Sequence, residues 1–175
     1  MARLDERTAD CRVLTFKEGL LSAAAHDLEL RVGRFTIEVD PAAPSVSARF
    51  DPASLRVEHA LHDGRPAPAA LSAADKRKIE RTIADEVLEP RRFPEIRFAS
   101  TAIEGAGDTR RVRGTLSLHG VERAIAIDAR REGGRWLVEA RLHQPDFAIR
   151  PYTAMLGTLR IKADVLVRLA LPDVY

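Results

Sequence analysis

The chain has 175 residues, of which 45% are hydrophobic and 31% charged. That composition suits one folded domain with a sizeable core and excludes wholesale disorder. The net charge of +2 comes from 28 basic and 26 acidic residues spread along the chain, so no nucleic-acid partner is expected. Cys11 is the only cysteine, which excludes an internal disulfide and any metal site built on cysteine spacing. The N-terminus, MARLDERTADC, carries both signs of charge and no apolar stretch; it reads as lacking a secretory signal, and a cytoplasmic protein is expected. The apolar runs fall far short of the roughly 18 residues a spanning helix needs, so stable membrane insertion is not expected.

Taken in chain order, Val13 to Phe16 opens a series of strands. Cys11, at its edge, reads as a small buried residue rather than a nucleophile. Leu28, Leu30 and Val32 then alternate with Asp27, Glu29 and Arg31. Val46 to Phe50 and Leu55 to Val57 are further candidates, and the loop DGRPAPAA follows. Ser72 to Leu88 breaks the period-two rule: Ile79, Ile83 and Val87 recur every four residues, Ser72 and Asp75 make a capping box, and Pro90 ends the segment. This predicts a helix over 72–88 that caps a barrel mouth or covers an outer face. Strands resume at Glu95 to Ile103. Val112, Leu116 and Leu118 alternate with Arg111, Arg113, Thr115 and Ser117, and Ile125 and Ile127 lead to a Gly133–Gly134 hairpin turn. Trp136, Val138, Ala140 and Leu142 oppose Arg135, Glu139 and Arg141. Last, Leu159, Ile161, Ala163, Val165, Val167, Leu169 and Leu171 share one face of a single long strand. Half-buried strands with short connections predict an all-β, antiparallel fold of eight or more strands, either stacked as two sheets or curled into a barrel.

Four strings occur in a telling order: His26 followed by VGRF at 32–35, RFPEIRFAST at 92–101, VRGTLSLHGVERAIAID at 112–128, and PDFAI at 145–149. Together, from about residue 11 to 171, they resemble the YceI-like family of lipocalin-like, polyisoprenoid-binding proteins. The resemblance implies a single domain over 1–175, an extended eight-stranded antiparallel barrel with one helix between strands, and a long internal apolar pocket. It implies long isoprenoid, isoprenoid-quinone or fatty-acyl ligands, bound without catalysis. Related barrels often pair, so a homodimer is a further expectation from the resemblance. The segment HDGRPAPAALSAADKRKIERTIADEVLEP at 62–90 is longer and more helical than the family pattern.

Strand parity puts Leu28, Leu30, Leu116, Leu118, Trp136, Val138, Ala140, Ile161, Ala163 and Val165 inside the barrel, with Phe35, Phe98 and Phe147 as core aromatics within reach of a ligand. Ala140, Ala163 and Gly114 are small. Either they leave a void for a slim ligand or they fit against larger residues across the barrel. At roughly 0.8 kcal/mol per buried methylene, two or three isoprene units would suffice for micromolar binding.

His26 shares inward parity with Leu28. It could meet a ligand head group, or be a buried histidine satisfied by a carbonyl or by Asp27. Arg150 and Tyr152, in FAIRPYTAMLG, would sit at the rim, where they could hold a phosphate, carboxylate or quinone oxygen; a solvated arginine and a rim-packed tyrosine is the plainer reading. Met155 and Leu156 read as packed core. His119 reads as turn-stabilising or exposed, and His143 as exposed. His59 and His62 lack a third metal ligand. No Ser-His-Asp spacing, phosphate loop or His-Glu-x-x-His string occurs, so no catalytic residue, metal or cofactor is assigned. The alternatives are an enzyme with His26 as base, or an interaction module using the helix or a sheet edge.

Overall fold

A computed structural model describes residues 1–19 and 25–174. The fold is mostly β, with one helix. Its main sheet holds twelve antiparallel strands: β1 (Ala2–Asp5), β2 (Asp10–Thr15), β4 (Asp27–Val32), β5 (Phe35–Asp40), β6 (Ser45–Phe50), β7 (Leu55–His62), β8 (Arg65–Ala67), β9 (Ile96–Glu104), β10 (Thr109–Leu118), β11 (Val121–Glu132), β12 (Arg135–His143) and β15 (Asp164–Pro172). The ladder runs β1-β5-β6-β9-β10-β11-β12-β15-β2-β4-β7-β8. A second sheet joins β3 (Lys17–Glu18), β13 (Thr153–Ala154) and β14 (Leu159–Ile161) in the order β13-β14-β3.

The count is therefore twelve in the main sheet rather than the expected eight, and the cause is local. Long stretches of chain bend and change partner part-way. β4 pairs with β2 and β7, whereas β5, two residues later, pairs with β1 and β6. At this bend the Gly33 N–H donates to the Ser54 carbonyl at 3.1 Å and the Asp51 N–H to the Arg34 carbonyl at 3.0 Å. The Arg34 N–H donates to Ser54 Oγ at 2.9 Å. Gly33 suits this close approach, since a Cβ there would sit 3.0 Å from the Ser54 carbonyl oxygen and press the backbone apart. The break between β6 and β7 lies at the same level, over Pro52–Ser54, so the two neighbouring stretches bend together. A turn at 6–9, with the Ala9 N–H donating to the Asp5 carbonyl at 2.8 Å, separates β1 from β2. Strands adjacent in the chain thus stand at opposite ends of the ladder, and the sheet is strongly curled.

The Gly133–Gly134 turn joins β11 to β12 with Glu132 opposite Arg135, and both glycines have positive φ (56° and 74°), as a type I′ hairpin requires. The single long strand expected over Leu159–Leu171 is broken. Lys162 and Ala163 lie between β14 and β15, where the Lys162 N–H donates to the Phe16 carbonyl and the Ala163 carbonyl accepts from the Gln144 N–H. Parity there is consequently lost. Gly114 is also not a source of void: its ideal Cβ would lie 2.4 Å from the Phe98 ring, which fills the space. It sits at a register shift between β9 and β10.

The helix spans α1 (Ala73–Thr82) and a π-helical continuation, Ile83–Leu88. The capping box is formed: the Asp75 N–H donates to Ser72 Oγ at 3.1 Å and the Ser72 N–H to Asp75 Oδ2 at 2.9 Å. It is anchored to β7 around a register shift. The Val57 N–H donates to Glu80 Oε1 at 2.9 Å, and Lys76 Nζ donates to the Glu58 carbonyl at 2.6 Å. The segment ends at Glu89 in the left-handed region, φ 45°. Two apolar clusters form the core. The larger holds Ile37, Val39, Phe98 and Leu116; the smaller packs Leu28, Leu30, Val57 and Ala60 against Ile79 and Ile83 of the helix. Burying a side chain such as Leu30, which is 1% exposed, contributes roughly 1.5–3 kcal/mol. No helix among the described residues is long and apolar enough to cross a membrane.

Candidate functional site

The concave face of the curled sheet encloses two apolar cavities. The larger, about 650 Å³, lies between the sheet and the helix. That is the range of small-molecule sites, about 300–1,000 Å³. Leu28, Leu30 and Val32 of β4 form one wall, Val165 and Val167 of β15 another, and Ile79, Ile83 and Val87 the roof. The smaller, about 140 Å³, lies among Ile37, Val39, Phe98, Leu116, Val138 and Leu169. Phe50, Leu142 and Val167 line both, so these three side chains stand where the compartments meet. Trp136 stands in the wall of the smaller compartment. Its Nε1 donates to Asp173 Oδ1 at 3.2 Å, and the Arg110 guanidinium covers its ring at 5.2 Å.

Twelve of the sixteen residues singled out in the sequence line these compartments. Leu28, Leu30, Leu118, Ile161 and Val165 face the larger cavity, as do His26 and Tyr152. Phe98, Leu116, Trp136, Val138 and Ala140 face the smaller. The remaining four stand outside both walls. Phe35 is buried against Phe50, with ring centroids 5.9 Å apart, and spends its surface on core packing. Phe147 is buried in the core from the 3₁₀ turn Gln144–Phe147. Ala163 lies on the corner between β14 and β15. Arg150 is exposed and borders an open polar recess with Thr153 and Arg160. Leu156, read as core, is fully exposed because it forms the tip of the turn joining β13 to β14; the Met155 side chain lies outside the described residues.

Several cavity residues were missed. Ile37 and Val39 belong to β5, whose FTIEVD alternation was a readable signal. Ile79, Ile83 and Val87 carried the fourfold repeat, yet periodicity shows an apolar face without showing what it covers. Two polar groups were also missed. Gln144 is buried, and its Nε2 donates to the Lys162 carbonyl at 3.1 Å. Thr15 Oγ1 is buried, borders the large cavity and has no hydrogen-bond partner among the described residues. With His26, Gln144 and Tyr152 it lends hydrogen-bonding groups to a mostly apolar space, whose lining also includes Asp51, Asp75, Lys78 and Thr82. Among the described residues no side chain hydrogen-bonds to the His26 ring; Asp27 instead accepts from the Lys17 N–H at 2.8 Å.

The remaining histidines have structural partners. His59 pairs with Glu29 and His143 with Asp164, and His62 stands exposed beside Asp63. His119 is only 10% exposed; its Nε2 lies 3.1 Å from Glu89 Oε2 and its ring 4.2 Å from that of Phe93. It joins the end of the helical segment to the β10–β11 turn. Burial, reinforced by the Asp10 carboxylate, pushes the Cys11 thiol up to about 12, which removes its nucleophilic form at neutral pH.

Comparison with known proteins agrees with this architecture. The profile of the YceI-like domain matches residues 14–171. No curated protein matches the chain. Among solved structures, BcnA of Burkholderia cenocepacia superposes with a TM-score of 0.63 at 15% identity, covering 93% of this chain and 94% of that one. A polyisoprenoid binding domain from Saccharophagus degradans, implicated in plant cell wall breakdown, gives 0.60 at 14% identity and 99% coverage of both. A YceI protein of Campylobacter jejuni gives 0.51 at 15% identity, covering 79% and 80%. These identities carry the fold. The profile match over most of the chain, on a curled sheet around an apolar space, makes this protein a member of the YceI-like domain family.

Proposed function

We propose that this protein binds and carries, without catalysis, one long apolar lipid (a polyisoprenoid, an isoprenoid quinone or a fatty-acyl molecule) inside a closed barrel. Taking β1 with β2, β4 with β5, and β6 with β7 as bent single strands, and β8 as a side arm, gives eight strands around the ring. The observation that carries the reading is the stacked pair of apolar compartments, about 650 and 140 Å³, that meet at Phe50, Leu142 and Val167. Native side chains usually fill such a space. An unfilled one lined by leucine, isoleucine and valine favours hydrocarbon over water. The polar groups of His26, Thr15 and Tyr152 suit a head group, and the apolar wall at Trp136 suits a chain terminus. The Saccharophagus domain's name adds support for an isoprenoid.

An enzyme with His26 as base is the weaker reading, because no described side chain orients that ring. An interaction module built on the helix is also weaker, since Ile79 and Ile83 are packed against β4 and β7. The test is native mass spectrometry of protein purified without detergent. One bound chain-like lipid per barrel is expected. Protein that stays empty after incubation with prenyl alcohols, quinones and fatty acids overturns the proposal.

A further inference from the structure

The turn between β13 and β14 has two faces. Towards the interior, the segment 149–161 contributes Ile149, Tyr152, Leu159 and Ile161 to the large cavity. Towards solvent, it ends in Leu156, whose relative exposure is 105%; among the described residues the only other large apolar side chain so exposed is the terminal Met1. Leu156 and Gly157 both have positive φ (57° and 83°), and an ideal Cβ on Gly157 would meet nothing within 4 Å. The tip therefore projects into open space, and a non-glycine residue holds a left-handed conformation that side chains disfavour. Single exposed leucines are ordinary. One held out at the apex of a projecting turn, in a strained backbone, is not.

The charge around the tip is one-sided. Arg150 and Arg160 are exposed and border an open recess of about 580 Å³ with Thr153. Lys162 is exposed as well, and no acidic residue occurs between Asp146 and Asp164. Glu18 faces Arg160 across the β14–β3 ladder, yet among the described residues no ion pair within 4.0 Å engages Arg150 or Arg160. Elsewhere on the surface Arg12, Arg34, Arg111, Arg113 and Arg131 pair with carboxylates.

We propose that this turn docks the protein on an anionic phospholipid bilayer, with Leu156 entering the acyl boundary and Arg150 and Arg160 on the headgroup phosphates. The inference rests on the lipid-carrier reading above. A cargo with almost no solubility in water must pass between bilayer and cavity, and this segment is both wall of the cavity and apex of the surface. Cationic side chains near an anionic surface attract, and an apolar tip inserts; neither signal alone suffices for stable binding, so docking is reversible and salt-sensitive.

The test is flotation with vesicles of phosphatidylcholine alone and of phosphatidylcholine with phosphatidylglycerol in equal parts. A separate assay measures uptake of a fluorescent fatty acid from solution without vesicles. The wild-type chain is expected to float with the mixed vesicles, not with the neutral ones, and to be released by high salt. Leu156→Asp should lower the bound fraction roughly ten-fold, by loss of one buried leucine. Arg160→Gln should lower it about five-fold, by loss of one charge near the surface. Both variants should take up the soluble probe normally and keep the wild-type circular dichroism. Absence of wild-type flotation, equal binding to neutral vesicles, or undiminished binding by both variants overturns docking while leaving the carrier reading intact. Flotation without any probe uptake would uphold docking and overturn the carrier reading and its cargo exchange. Retention on a partner protein but on neither vesicle would assign the tip to protein contact and overturn the proposal.

Discussion

Cys11 illustrates how burial changes a residue's chemistry. It is 1% exposed on β2, and burial raises its thiol from an ordinary value of 9.0 to about 12. The folded protein thus holds this proton where an unfolded chain releases it. The stabilising contribution is intact below pH 9 and is lost as pH climbs towards 12. The folded protein at pH 8 should be unreactive towards a disulfide reagent and should react stoichiometrically in urea. Its urea midpoint should fall between pH 9 and 11 by more than that of Cys11→Ala. Prompt labelling of the native protein would contradict this. The same residue was legible in the sequence as buried and inert, because a cysteine in line with apolar strand positions needs no partner to be read. Arg150 and Leu156 were not legible: an irregular turn carries no parity, so nothing in FAIRPYTAMLG told which side chains would face in.

Among the elements, the helix illustrates the same division. Its position, capping box and apolar repeat were readable from Ser72, Asp75, Ile79, Ile83 and Val87, since each signal lies within a few residues. That it roofs a cavity depends on the shift near Glu58 in β7, where Val57 and Glu58 meet Glu80 and Lys76, and on the distant Glu89–His119 contact. Removing the cap with Ser72→Ala should cost about 1 kcal/mol in a urea melt. Both Ser72→Ala and His119→Ala should speed release of a fluorescent fatty acid in stopped-flow displacement, because each loosens the roof at one end. Release rates equal to wild type in both variants would show that cargo does not leave past the helix. Among the strands, β12 and the Gly133–Gly134 hairpin were readable from alternation and turn chemistry. β1 escaped notice because RLD is too short to show a period. The end of β14 was masked because alternation continues through Ala163, although the backbone turns there to satisfy Gln144 and Phe16.

For the molecule as a unit, Val167 is the informative position, since it borders both compartments. Val167→Trp should abolish binding of long-chain lipids, read by native mass spectrometry. The fold should survive with a loss of about 1–3 kcal/mol, the usual cost of overpacking, because the added ring has space to enter. Retained long-chain lipid in a folded Val167→Trp protein would show that the cargo does not pass this point. The family strings, the antiparallel β class, the helix and most of the inward faces were all available from the linear order of residues. Each follows from contacts between near neighbours, where the periods of 2 and 3.6 act. The curl of the sheet, the bends at Gly33 and Ser54, and the existence of an unfilled interior were not available from it. They depend on which walls face one another across the molecule and on whether the side chains meeting there are large enough to close the gap. Gly114 was small because Phe98 needed its place, whereas the opening around Val167 was left by residues more than a hundred positions apart in the chain.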